Sequence, residues 1–274
     1  MKIGVRAHDF GRHTAADLPR IIRQAGFEAV QLAIPKAITG IAAFAEVDDH
    51  LLEEIHKNFH DNQLEIAVMG CYIEPSLPDK TERLAQVEIF KLGLGHAAKL
   101  GVNIVGTETT HLDIDASPAD REKSYQFLKD SMLRMAEEAK KLGVCIGIEP
   151  VAEHVLNTPE LTARLFDEVD SDKLRIIFDP VNLMLPRTIH SQLQIYRELF
   201  EHLGEKIAVL HMKDTDTTGG AKAWRNIGRG QIDYDFIFKW LHRHKPGIPL
   251  LREDAQMDSY TADIEAMLNF ANKS

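Results

Sequence analysis

Four residues able to carry chemistry stand at or near the ends of four consecutive apolar runs. Glu149 closes VCIGIE (144–149), Asp179 closes LRIIFD (174–179), His211 lies in IAVLHM (207–212) and Glu253 closes IPLLRE (248–253). Taken singly, a Glu or Asp in such a place is as often a helix cap or loop anchor as a ligand; the agreement of four successive runs is the signal. Three carboxylates and one imidazole brought together repel one another, and a divalent cation is the simplest way to keep all three acids ionised. One nitrogen among oxygens, with positions left open, suits octahedral Mn2+ or Mg2+, with Co2+ and Zn2+ also compatible. Mn2+ is the favoured expectation.

The elements that must position these residues follow from the rest of the pattern. Short apolar or β-branched runs also occur at IGV (3–5), AVQLAI (29–34), EIAVMG (65–70) and NIVGT (103–107), which makes eight strands. Between them lie stretches with helical spacing, among them Leu51-Leu52-Ile55-Phe59 and Leu161-Leu165-Phe166. Gly26, Gly101, Gly143 and Gly204 stand where left-handed helix caps are expected, and Ser117-Pro118 and Thr158-Pro159 read as helix starts. Eight alternating units without a composition break predict one closed parallel (β/α)8 TIM barrel over residues 1–274, and a barrel of this type needs about 250 residues. Its chemistry gathers where the carboxyl ends of the strands meet. Alternation aims Glu149 inward together with Gly147, Asp179 with Ile177 and His211 with Val209.

Composition narrows the function classes. The chain is 44% hydrophobic and 27% charged, with no apolar run of membrane-spanning length. Lys and Arg total 32 against 42 Asp and Glu, and the resulting charge of −10 opposes phosphate-backbone binding, so no nucleic-acid partner and no membrane are expected. Two isolated cysteines, Cys71 and Cys145, and an N-terminal segment without a leader-like apolar stretch point to a cytoplasmic location. Neither a GxGxxG nor a GxxxxGK[ST] motif occurs, so no nucleotide cofactor is indicated.

The segments IEP (148–150), FDPVN (178–182), HMKD (211–214), NIGRGQIDY (226–234) and RED (252–254) resemble the sugar phosphate isomerase/epimerase superfamily of xylose isomerase-like barrels. The likeness spans most of the chain, and HMKD is its sharpest piece. It implies that Glu149, Asp179, His211 and Glu253 bind the metal. By similarity to ketose 3-epimerases, Glu149 and Glu253 would serve as acid and base on opposite faces of a small sugar, sugar phosphate or polyol. Such chemistry removes a proton beside a carbonyl through a metal-stabilised enediolate. One departure is Asn182, where many members carry histidine; it hydrogen-bonds but does not titrate near neutrality.

Other substrate-binding candidates are Lys213, which shares the parity of His211; Arg225, ahead of the GRG turn; Glu108 and His111 in GTETTH; and His8, with Arg6, after the first strand. The same site also fits a dehydratase of the inosose or dehydroshikimate type. An endonuclease IV-like phosphodiesterase is disfavoured by the charge and by too few histidines, and a non-catalytic sugar-binding barrel by the two opposed glutamates. Trp224 and Trp240 are read as interface, pocket-wall or helix-packing residues, an interface use agreeing with the homo-oligomers common in this superfamily.

Overall fold

The computed structural model describes residues 1–256 and 259–273. Seven strands come first: β1 (Ile3–Arg6), β2 (Ala29–Leu32), β3 (Glu65–Gly70), β4 (Ile104–Thr107), β5 (Cys145–Ile148), β6 (Leu174–Phe178) and β7 (Ile207–Met212). A hairpin of β8 (Asp214–Asp216) and β9 (Ala223–Arg225) then precedes the last barrel strand, β10 (Leu250–Arg252). The eight long-range strands close in the order β1-β10-β7-β6-β5-β4-β3-β2, every pair parallel. The eight-stranded barrel expected from the sequence is therefore the observed fold. The strands stop slightly earlier than the apolar runs do, so Glu149, Asp179 and Glu253 sit one residue beyond their strands.

Helices α1 (Asp17–Gln24), the short α2 (Ile34–Ala37), α3 (Asp49–Asp61), α4 (Lys80–Leu100), α5 (Pro118–Leu142), α6 (Pro159–Val169), α7 (Gln192–Leu203), α8 (Tyr234–His244) and α9 (Tyr260–Asn272) surround the barrel. Their starts are fixed as the sequence reads. The Ser117 side chain accepts from the amide of Asp120 and that of Thr158 from Leu161, each just ahead of a proline in the first turn. Gly101 and Gly143 end their helices in the left-handed conformation, at φ 71° and 74°. Gly204 departs from expectation. Its φ is −55°, and what it supplies is room, because a Cβ there would lie 2.5 Å from the Trp240 ring. That ring stacks on Phe200 at 4.3 Å, so Trp240 is helix packing.

The barrel interior explains the site. Ala29, Val68, Ile177, Val209 and Leu251 form a closed apolar cluster inside the strands, separate from the larger core beneath the helices. Gly106 and Gly147 face the same space, since a Cβ on either would press within 2.9 Å of Ile177. Side chains alternate along a strand, so the residues two positions on point into the barrel one layer higher. That layer reads Arg6, Gln31, Gly70, Glu108, Glu149, Asp179, His211 and Glu253, one in or just past each barrel strand. A dry apolar plug thus supports a polar ring at the mouth.

Candidate metal centre

Glu149, Asp179, His211 and Glu253 are all buried, and one ligand atom from each lies within 4.8 Å of the others. Each is held by a different device. Asp179 Oδ1 accepts the backbone N–H groups of Val181 and Asn182, both at 2.8 Å, which leaves Oδ2 turned inward. Glu149 Oε1 accepts from Asn182 Nδ2 at 2.6 Å, leaving Oε2 free. Glu253 Oε2 accepts from Lys213 Nζ at 2.8 Å. His211 is fixed through Nε2, 2.9 Å from Gln31 Oε1 across the barrel. Its Nδ1 stands 3.2 Å from Glu149 Oε2 and 3.1 Å from Glu253 Oε1, between the two glutamates.

The electrostatics are those of an acid cluster short of positive charge. Burial drives Asp179 up to about 6, with Glu149 and Glu253 adding to the rise and Lys213 opposing it. Burial acts against a charged His211, yet Glu253 and Glu149 outweigh it and raise the imidazole to about 10. Lys213, 2.9 Å from Asp179 and 2.8 Å from Glu253, is likewise raised despite its burial. Glu253 is held well below the usual carboxylate range by Lys213 and His211, against the effect of its own burial. Two protein cations therefore hold the cluster together.

The donor set fits a divalent metal. Among the described residues, buried Glu149 Oε2, Asp179 Oδ2 and His211 Nδ1 find no hydrogen-bond partner, although cations or acids stand close by without the alignment for a bond. Buried polar atoms are nearly always paired, so three convergent orphans mark a place for a ligand. Two carboxylate oxygens and an imidazole nitrogen suit Mg2+, Mn2+ or Zn2+.

The remaining sequence candidates separate. Asn182 contacts Glu149, and Lys213 contacts Asp179 and Glu253. Glu108 lies on the ring; burial, then Glu149 and Glu253, push it up to about 8. His8 follows β1, and burial together with Arg6 and Lys36 lowers it to about 4. His111 is exposed and packs edge-on against His154 at 6.1 Å. Arg225 is exposed and bonds to Asp216, outside the cluster. Its neighbour Trp224, 52% exposed, sets its ring 5.5 Å from Lys213 Nζ, because adjacent hairpin residues face opposite ways.

Sequence reasoning missed Gln31, which orients His211 and itself bonds Tyr72 at 2.8 Å. The signal was there: a lone polar residue inside AVQLAI. It also left Asp214 without a role. That buried carboxylate accepts from the backbone amides of Thr215, Gly228, Gly230 and Ile232, shaping the loop beside the mouth. A Cβ at Gly230 would lie 2.2 Å from Asp214 Oδ1, so the glycine in the GRG turn is there for close approach.

A family model described as the xylose isomerase-like TIM barrel matches residues 19–270. A comparison with functionally curated proteins gave no match. Similar solved structures include 3-keto-D-glucoside 4-epimerase, YcjR, from E. coli, with 16% identity, 98% of each chain covered and a TM-score of 0.72. A D-tagatose 3-epimerase-like protein has 16% identity over 98% of this chain and 97% of that one, with a TM-score of 0.80. A xylose isomerase-like TIM barrel protein from Mycobacterium smegmatis, in complex with magnesium, has 18% identity over 98% and 95%, with a TM-score of 0.73. At such identities the structural likeness is one of fold. The family match, which covers most of the chain and agrees with the motifs around the four buried residues, shows that this protein belongs to the xylose isomerase-like TIM barrel family.

Proposed function

We propose that the protein is a metal-dependent isomerase or epimerase of a small sugar, sugar phosphate or polyol. The observation that carries this reading is the placement of Glu149 and Glu253 on either side of His211 Nδ1, at 3.2 and 3.1 Å. A dication held by Glu149, Asp179, His211 and Glu253, with Mn2+ our preferred ion, would supply positive charge beside the oxygens of an enediolate. The chain's own groups do the rest. One glutamate takes the proton beside the carbonyl and the other returns one from the opposite face, which inverts that carbon. Asn182 steadies Glu149 through its 2.6 Å bond, and Lys213 does the same for Glu253 at 2.8 Å. The apolar plug beneath excludes water from below the ring.

Glu108 supports a second reading. A carboxyl raised to about 8 at the same ring is an acid suited to protonating a leaving hydroxyl, as a dehydratase of a cyclic polyol requires. The two readings part on product. Incubating the manganese-loaded protein with ketoses, ketose phosphates and inososes in D2O should give deuterium at one carbon without loss of water, and Glu149→Gln or Glu253→Gln should abolish it. Loss of water would favour the dehydratase, and no exchange on the whole panel would defeat the isomerase reading.

A further inference from the structure

The direction of one hydrogen-bond chain fixes where a proton is left over. A ligating His211 offers the lone pair of Nδ1, which faces the glutamates, and so carries its proton on Nε2. Nε2 lies 2.9 Å from Gln31 Oε1, so the amide oxygen accepts there. The other end of the same amide is an NH2 group, which only donates, and it stands 2.8 Å from Tyr72 Oη. The phenol oxygen therefore accepts from Gln31, and its own proton is unused. Among the described residues the hydroxyl has no second hydrogen-bond partner.

Where that proton can go is set by the surroundings. Tyr72 is half-buried and lies across Gly70, the one member of the mouth ring without a side chain. A Cβ on Gly70 would come within 3.2 Å of the Tyr72 ring, so the glycine lets the phenol take that place. Burial, then Glu149, Glu253 and Glu108, push the phenol well above its ordinary range, so it stays protonated in the field of the mouth carboxylates. A protonated donor beside carboxylates that hold no bond to it is disposed toward an acceptor brought by the substrate.

We propose that Tyr72 is a substrate-contacting hydrogen-bond donor of this centre, giving its phenol proton to a carbonyl or hydroxyl oxygen of the sugar while Gln31 holds it in place. The assignment rests on the reading of the four buried residues as a metal centre for sugar chemistry. Gln31 is then a positioning residue with two tasks, orienting His211 for the metal and directing the phenol.

The test uses the full chain loaded with Mn2+, with D-tagatose and D-fructose in D2O as probes, and reads both sugar affinity and the rate of deuterium incorporation. Tyr72→Phe should leave Mn2+ affinity within about twofold and lower the exchange efficiency about ten- to hundredfold, the usual cost of removing one donor to a reacting oxygen. Gln31→Glu keeps an acceptor for His211 but takes the phenol proton, so it should keep Mn2+ and reproduce the loss seen in Tyr72→Phe. Gln31→Leu should weaken Mn2+ binding about ten- to hundredfold. Full exchange in Tyr72→Phe, beside an active wild type, would overturn the Tyr72 assignment alone. A wild type that binds Mn2+ yet exchanges neither these two sugars nor any other member of the panel of ketoses, ketose phosphates and inososes would overturn both that assignment and the isomerase reading.

Discussion

Asn182 and Lys213 show how single residues let acids survive burial. Each hands a donor to a buried carboxylate of the cluster, Asn182 to Glu149 and Lys213 to Glu253. Lys213 also stands 2.9 Å from Asp179, so its charge is shared between two acids. Lys213→Met should therefore destabilise the metal-free protein by about 3–5 kcal/mol, the range for a buried charge stripped of its partner. Mn2+ should raise the thermal midpoint of this variant more than that of wild type, since a dication replaces the missing cation; equal gains would contradict the role given to Lys213. Asn182→Ala is milder, because it removes one neutral donor from Glu149. A loss of about 1–3 kcal/mol in urea unfolding is expected, with Mn2+ still bound.

The elements decide what the sequence could disclose. The convergence of Glu149, Asp179, His211 and Glu253 was legible because each position follows from its own strand: Val209 fixes His211 and Ile177 fixes Asp179 by alternation alone. The Gln31–His211 contact was not, because β2 and β7 meet only across the closed barrel. The heading of Arg225 was hidden for another reason. It depends on the register of the β8–β9 hairpin, which pairs Thr215 with Trp224 and turns the indole toward Lys213. Gly204 looked like the other helix-ending glycines until the stacking of Trp240 gave it a different purpose. The loop after that hairpin offers its own test. Asp214→Ala frees the amides of Gly228, Gly230 and Ile232, so hydrogen exchange should quicken across 226–232 while the barrel strands keep their protection. Unchanged exchange in that loop would show that Asp214 does not hold it.

At the scale of the whole molecule, the apolar plug and the outer core carry the fold, while the titratable groups at the mouth make stability depend on pH. His8 gives the sign of one pH effect. Its folded pKa is lowered to about 4, whereas an unfolded histidine takes up its proton near 6.5. The unfolded chain thus binds more protons between those values, so stability present above pH 6.5 is lost as the pH falls toward 4. The urea midpoint of wild type should drop more between pH 7 and 4 than that of His8→Gln, and equal drops would contradict a neutral, half-buried His8. The most direct test of the central claim is a calorimetric titration of the metal-free protein with Mn2+, set beside Asp179→Asn and His211→Ala. One ion per chain, with binding lost or weakened by orders of magnitude in both variants, is the predicted result; unaltered binding in either variant, or none in wild type, would contradict a metal centre built from these four residues.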